Sequence, residues 1–233
     1  MLIWEEEQDP QDVAAPDDIL DLMFSLNGRR LPVDHAYGLS TALQRALPWL
    51  EEEPRAGIHL IHVASSQNGW ERPSQEEGQW LMLSRRTKLT LRLPAERLEA
   101  ARQLCGQTLE IADQPLIVGD AKTRPLSTQG NIFARYIAGP DEENEDEFLR
   151  RSVTELSARG LRVKKALCGI AHQFLLPAGP LHTRSLLLAG LRPEESIQLQ
   201  RHGLGPYRQL GCGLFLPHKG LEAVGKASGD AGT

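Results

Sequence analysis

Apolar residues take every second position in "ILDLMFSL" (19–26), where Leu20, Leu22, Phe24 and Leu26 mark a strand with one buried face. "NGRRLP" then reads as a loop. Beyond it Asp34 is placed to cap a helix in which Leu39, Leu43, Leu47 and Leu50 recur every four or three residues. "GIHLIHVA" (57–64) predicts a second strand and "TKLTLRL" (87–93) a third, with Leu89, Leu91 and Leu93 inward and Lys88, Thr90 and Arg92 outward. "PAERLEAARQLCG" has proline in its first turn and glycine at its end, the marks of a helix, and "QTLEI" with "PLIVG" supplies the next strand or hairpin. The order β-α-β-β-α-β is that of a ferredoxin-like unit.

A similar order returns without a sequence repeat. "NIFARYIAG" predicts a strand, "DEFLRRSVTELSARG" a helix, "LRVKKALCG" and "TRSLLLAGL" strands, "RPEESIQLQRHG" a helix and "LGCGLFLP" the last strand. The expected fold class is α+β, two tandem ferredoxin-like (RRM-like) domains. Their predicted extents are 19–125 and 126–222, with an acidic segment at 1–18 and a disordered tail at 223–233.

Composition changes the picture at one point, the charge. The net charge is −5, yet residues 1–20 carry seven acids and no base, and "DEENEDE" (141–147) carries six more acids. Setting those aside leaves 26 basic residues against 18 acidic, and residues 150–220 hold eleven Lys/Arg against three Asp/Glu. An acidic fringe on a basic body can still offer a polyanion a basic face; the alternative is scattered solvated charge. Three dispersed cysteines (Cys105, Cys168, Cys212) fit reduced thiols rather than a zinc site or disulfides. With no long apolar run and no signal peptide, a cytoplasmic location and no membrane association are expected.

The stretch "GLGPYRQLGCGLFLPHK" (203–219) concentrates glycine beside positive charge. Gly203 is placed to end the last helix. Gly205, Gly211 and Gly213 need another reason, either a tight turn or backbone amides that meet phosphates, with Arg208 adding charge. The spacing is neither a Walker loop nor a dinucleotide fingerprint. Two ferredoxin-like units with this glycine-rich segment near the C-terminus resemble the RAMP superfamily of CRISPR-associated proteins, in particular the endoribonucleases that cut the CRISPR repeat in precursor crRNA. "LNGRRLPVDHAYGLSTAL", "GIHLIH" and "LSRRTKLTLRLP" look like the MYXAN-type subfamily of those nucleases.

That resemblance implies cleavage without a metal or cofactor. A ribose 2′-OH attacks the adjacent phosphate and leaves a 2′,3′-cyclic phosphate, which calls for a base, an acid and positive charge on the phosphate. It also implies a histidine in or near the first helix. His35, after the cap Asp34, is the first candidate, with His59 on the second strand as its rival and Tyr37 placed to position the 2′-OH. His62, three residues from His59, is expected on the opposite sheet face. Each of the three candidates also fits a plain packing role. Candidate RNA-binding residues are Arg85, Arg86, Lys88, Arg92, Lys164, Lys165, Arg184, Gly205, Arg208, Gly211, Gly213 and Lys219. The implied partners are CRISPR repeat RNA, as precursor and mature crRNA, and other subunits of a CRISPR effector complex. A non-catalytic RAMP subunit that only holds guide RNA is the alternative.

Overall fold

Nine residues of alternating polarity, Ile19–Asn27, form the central strand β1 of the first sheet. The computed structural model describes residues 16–63 and 79–218, so most of the acidic segment, the end of the strand expected at 57–64, the tail and Lys219 lie outside the described residues. β1 is followed by β2 (Arg30–Pro32), α1 (Ala36–Ala46), β3 (Gly57–His59), β4 (Trp80–Met82), β5 (Lys88–Pro94), α2 (Leu98–Ala101), β6 (Thr108–Ile111) and β7 (Gln114–Arg124). The sheet runs β3-β5-β1-β7-β6 with every pair antiparallel, while β2 and β4 form a small ribbon of their own. The continuous helix expected from Pro94 is instead one α turn between two tighter turns at 95–97 and 102–104. Leu98, Ala101 and Leu104 face the core at intervals of three, which suits three residues per turn better than 3.6.

The second unit comprises β8 (Ile132–Ala138), α3 (Glu145–Ala158), β9 (Lys165–Leu176), β10 (Gly179–Ala189), α4 (Pro193–His202) and β11 (Phe215–Pro217). Its sheet runs β11-β8-β10-β9. In both units the fourth strand, the first, the third and the second lie side by side, so the chain holds two ferredoxin-like units. The acidic run at 141–147 has a local use. Asn144 and Glu147 form a reciprocal cap on α3, and three acids in its first turn face the positive end of the helix dipole.

Paired bulges re-aim part of the second sheet. Arg184 and Leu186 of β10 pair with Ile137 and Ala134 of β8, so β8 spends one extra residue at Arg135–Tyr136. They pair with Ala171 and Cys168 of β9, which spends one extra at Gly169–Ile170. Below the bulge Ala166 and Cys168 pack on the second unit's core; beyond it Phe174 and Leu176, of the same parity, pack on the first unit's core. Ala138 and Cys212 join that first core as well, so the two units share apolar contacts.

The face of β1 and β5 away from their own helices carries a buried ion pair. Arg92 and Asp21 are 1% and 2% exposed, and the guanidinium donates from Nε (2.8 Å) and Nη2 (3.1 Å) to the carboxylate. Its Nη1 donates to the carbonyls of Gln200 (3.0 Å) and Phe215 (2.9 Å) in the second unit. Burial alone would raise the Asp21 pKa, but Arg92 and His59 beside it together outweigh that and hold the carboxyl well below its usual range. Arg92 does point away from its own core, as the alternation requires, but the second unit covers that face. It is a structural cation, and its assignment as an RNA contact is corrected. Asp21 keeps a second partner in Arg124, whose Nη2 donates to it at 2.9 Å, so replacing Arg92 by Ala should cost about 2–3 kcal/mol, less than a fully orphaned buried charge would. Denaturant unfolding measures it, and a loss below about 1 kcal/mol would remove the pair from any structural role.

Candidate functional site

His35 immediately precedes α1, and the sequence placed it one residue too far into the helix. Asp34 does not cap α1; its carboxylate accepts the amide of Leu175 on β9, at 2.7 Å. The His35 ring is buried, 4% exposed, and both nitrogens are in use. Nε2 accepts the Ile61 amide at 3.0 Å, which requires a lone pair there. The proton therefore sits on Nδ1, which donates to the carbonyls of Pro32 (2.9 Å) and Val33 (3.1 Å). Burial lowers its pKa, against the pull of those two carbonyls, and keeps the ring neutral. As a general base His35 would have to surrender the bond that holds Ile61. The geometry makes it a staple between the start of α1 and the segment after β3.

His59, on β3, shares the face of Asp21 and Arg92. Its Nε2 lies 3.6 Å from Asp21 Oδ1. Burial lowers its pKa first, Asp21 pulls it back up and Arg92 pushes it down again. With its side chain 10% exposed, it belongs to the buried charge cluster between the units rather than to an open surface. The structure does not offer either histidine to a large ligand.

The glycine-rich segment resolves in favour of the tight turn. Gly203, Gly205, Gly211 and Gly213 all have positive φ, from +68° to +85°, and so does Tyr207. A Cβ on Gly213 would strike the carbonyl of Leu204, and one on Gly211 would meet the Leu60 side chain at 2.6 Å. The amides of Gly205, Gly211 and Gly213 are already bonded, to Glu155 Oε1 (3.3 Å), Arg208 O (3.2 Å) and Tyr136 O (2.7 Å). Gly211 and Gly213 precede β11 rather than opening it. Their expected role as phosphate-binding amides is corrected: they let the chain turn, and their donors are spent inside the protein.

What the turn presents is side chains. Gln209 bonds the Gln44 amide of α1 at 2.6 Å and the carbonyl of Leu50 at 2.5 Å, fixing the segment against the first unit. Between them lies a groove of about 830 Å³, lined by Tyr37, Ser40 and Thr41 of α1, the β9–β10 turn at Leu176–Ala178, and residues Gly205–Leu210. Tyr37 and Tyr207 are 46% and 50% exposed along it. Arg208 donates from Nη2 to the carbonyls of Arg55 (3.2 Å) and Arg201 (3.1 Å), while Nε and Nη1 have no partner among the described residues. Burial, with Arg92 and Arg159 nearby, pulls its pKa down to about 10, so it remains charged at neutral pH.

The described fold of two ferredoxin-like units has counterparts among known proteins. The Cas6 family model, described as "Cas6 Crispr", matches residues 20–220. The chain belongs to the Cas6 family. It is 31% identical over 198 residues to the CRISPR-associated endonuclease Cas6 of Myxococcus xanthus (strain DK1622), covering 85% of this chain and 81% of the other. Among solved structures, a CRISPR associated protein Cas6 superposes with a TM-score of 0.55 at 13% identity, covering 87% of this chain and all of that one (100%). A Cas6-related protein from Pyrococcus furiosus gives 0.57 at 13% identity, covering 85% and 98%. At that identity the two structures speak for the fold.

Within this Cas6-family chain the other basic candidates are dispersed. Arg85, Arg86 and Lys88 are exposed around the β4–β5 turn, and Lys164 and Lys165 are exposed at the start of β9. Arg184 donates to the carbonyl of Glu143 at 3.2 Å and lies 3.7 Å from the carboxylate of Glu145, so part of its hydrogen-bonding capacity is spent within the protein. No helix among the described residues is long and apolar enough to cross a membrane. Sequence reasoning missed Gln44, Gln209 and Tyr207, for which no local pattern gives a signal. It also missed a meeting of rings from both units, His62, Tyr136 and His172. His62 escapes the alternation argument because the described strand ends at His59.

Replacing His35 by Ala should cost about 1–3 kcal/mol, mainly from the unsatisfied Ile61 amide. The sign of the pH effect follows from its lowered pKa. As pH falls, the unfolded chain takes up the proton first, so this stability is full above about 6.5 and is lost below it. His59 acts in the same direction. The wild-type melting temperature should therefore fall between about pH 7.5 and pH 5.5, and a His35→Gln protein should fall less.

Proposed function

We propose that this chain is an endoribonuclease that binds the stem-loop of a CRISPR repeat in precursor crRNA and cuts it to release crRNA. Its relative from Myxococcus xanthus, an endonuclease by name, supports the enzyme class. The observation that carries the RNA reading is the groove between α1 and the glycine-rich turn. It sets two exposed tyrosines beside Arg208, a largely buried arginine that stays charged at neutral pH. Tyrosine faces stack on unpaired bases of any sequence, and a desolvated guanidinium favours a phosphate over water. Tyr37 acts here through its ring, on the RNA. The exposed corner of Arg85, Arg86 and Lys88 and the pair Lys164–Lys165 would engage the backbone at a distance from the cut.

In the reaction the 2′-oxygen bonds to phosphorus, the P–O5′ bond breaks, and a cyclic phosphate remains on the upstream product. Cleavage should persist in EDTA and stop when the nucleotide before the cut carries 2′-deoxyribose. Cutting of the deoxy substrate at full rate would rule out this chemistry. Arg208→Ala should weaken RNA binding and lower the slope of log affinity against log salt by about one unit. An unchanged slope would take Arg208 off the phosphate. A second reading, a non-catalytic subunit that holds guide RNA within an effector complex, draws on the burial of His35 and His59. Under that reading the RNA binds and stays intact.

A further inference from the structure

With His35 and His59 committed to internal contacts, the acid and the base of an RNA-cleaving centre must come from elsewhere. Three rings meet where the two units face each other. His62 is exposed and stacks on Tyr136, with ring centroids 6.2 Å apart and planes 22° from parallel. His172 approaches the same Tyr136 ring edge-on at 5.3 Å, and Phe174 closes on it at 4.8 Å. Two imidazoles from different units thus flank one phenol ring.

The surroundings tie this cluster to the structures that frame the groove. His62 follows Ile61, whose amide is held by His35 at the start of α1. Leu176, two residues beyond Phe174 and four beyond His172, lines the groove, and Leu175 is held by Asp34 beside α1. The Tyr136 carbonyl receives the amide of Gly213 in the glycine-rich turn. The paired bulges place His172 on this side of the sheet. The extra residues at Arg135–Tyr136 and Gly169–Ile170 reverse the alternation of β8 and β9 on both sides of Ser185. Without them, the parity of Ala166 and Cys168 would turn His172 into the second unit's core. Gly169 leaves the room that this needs, since a Cβ there would strike the Ser185 hydroxyl. Bulges cost ladder hydrogen bonds and are found where a side chain must be re-aimed, often beside active sites.

We propose that His62 and His172, spaced by Tyr136, are the acid–base pair of RNA cleavage. The assignment rests on the endoribonuclease reading above. One neutral imidazole takes the proton of the attacking 2′-OH. The other, protonated, gives its proton to the departing 5′-oxygen, so atoms and charge balance with no co-reactant. Tyr136 is a positioning residue that sets the spacing of the two rings across the unit boundary.

The test is single-turnover cleavage of a stem-loop RNA carrying the repeat of the neighbouring CRISPR array, by wild type, His62→Gln and His172→Gln. RNA affinity and melting temperature are measured on the same proteins. Each variant should cut about 10²–10⁴-fold more slowly, with affinity within about threefold of wild type. On RNA with sulfur in place of the 5′-oxygen leaving atom, which departs without a proton, the variant lacking the acid should recover and the other should not. Rates within about threefold of wild type for both variants overturn the assignment. So does a loss of affinity in step with rate, which would make the rings a stacking platform for bases. Should a glutamine variant melt early, the asparagine variant is read by the same criteria. A wild-type chain that binds the RNA but leaves it intact overturns the endoribonuclease reading, and this assignment with it.

Discussion

One guanidinium holds the two units in register. Arg92 gives two donors to Asp21 on the neighbouring strand and a third nitrogen to two carbonyls of the second unit, at 2.9 and 3.0 Å. A lysine in its place would offer a point charge without the planar fork that this double task needs. Burying the pair is expensive in itself, and the favourable term is the apolar contact it permits around it. Gly57 shows the same economy on β3, where a Cβ would meet the Leu214 side chain at 2.5 Å. The carbonyls that Arg92 holds, Gln200 in α4 and Phe215 in β11, bracket the glycine-rich turn. Fixing its two ends against the first sheet is what lets the turn lie along α1.

The turn in turn sets the groove. Its left-handed glycines spend their amides inside the protein, so its contribution to a ligand comes through Arg208, Tyr207 and the Gln209 contact to α1. The beginning of α1 is anchored separately, by His35 on Ile61 and by Asp34 on Leu175. Those two bonds tie the start of α1 to the segment after β3 and to the far half of β9, the two stretches from which the rings of His62 and His172 reach Tyr136. Stability and site geometry therefore rest on the same few polar contacts.

Much of the fold was legible because alternation and capping act locally. Leu89, Leu91 and Leu93 are buried as their spacing predicts, and Pro193 and Gly203 bound α4. Period two tells which face a side chain occupies but not what covers that face. Arg92 accordingly read as solvent-facing, and the second unit lies over it. His35 was legible as a residue at the start of a helix; its partner Ile61 lies 26 positions away, so its commitment was not. His172 and Tyr136 were hidden for a different reason. Each is placed by an extra residue in its strand, and a bulge in β8 or β9 has no local signature except Gly169.

The proposed reaction is RNA cleavage by a neighbouring ribose hydroxyl, in a chain whose two ferredoxin-like units are locked by Arg92. Mass measurement of the upstream fragment from a repeat stem-loop RNA tests it most directly. Attack by the ribose hydroxyl leaves a 2′,3′-cyclic phosphate on that fragment and a 5′-hydroxyl on the other, and these are the ends expected. A 3′-hydroxyl facing a 5′-phosphate would contradict it, because that pair of ends requires water to attack in place of the ribose.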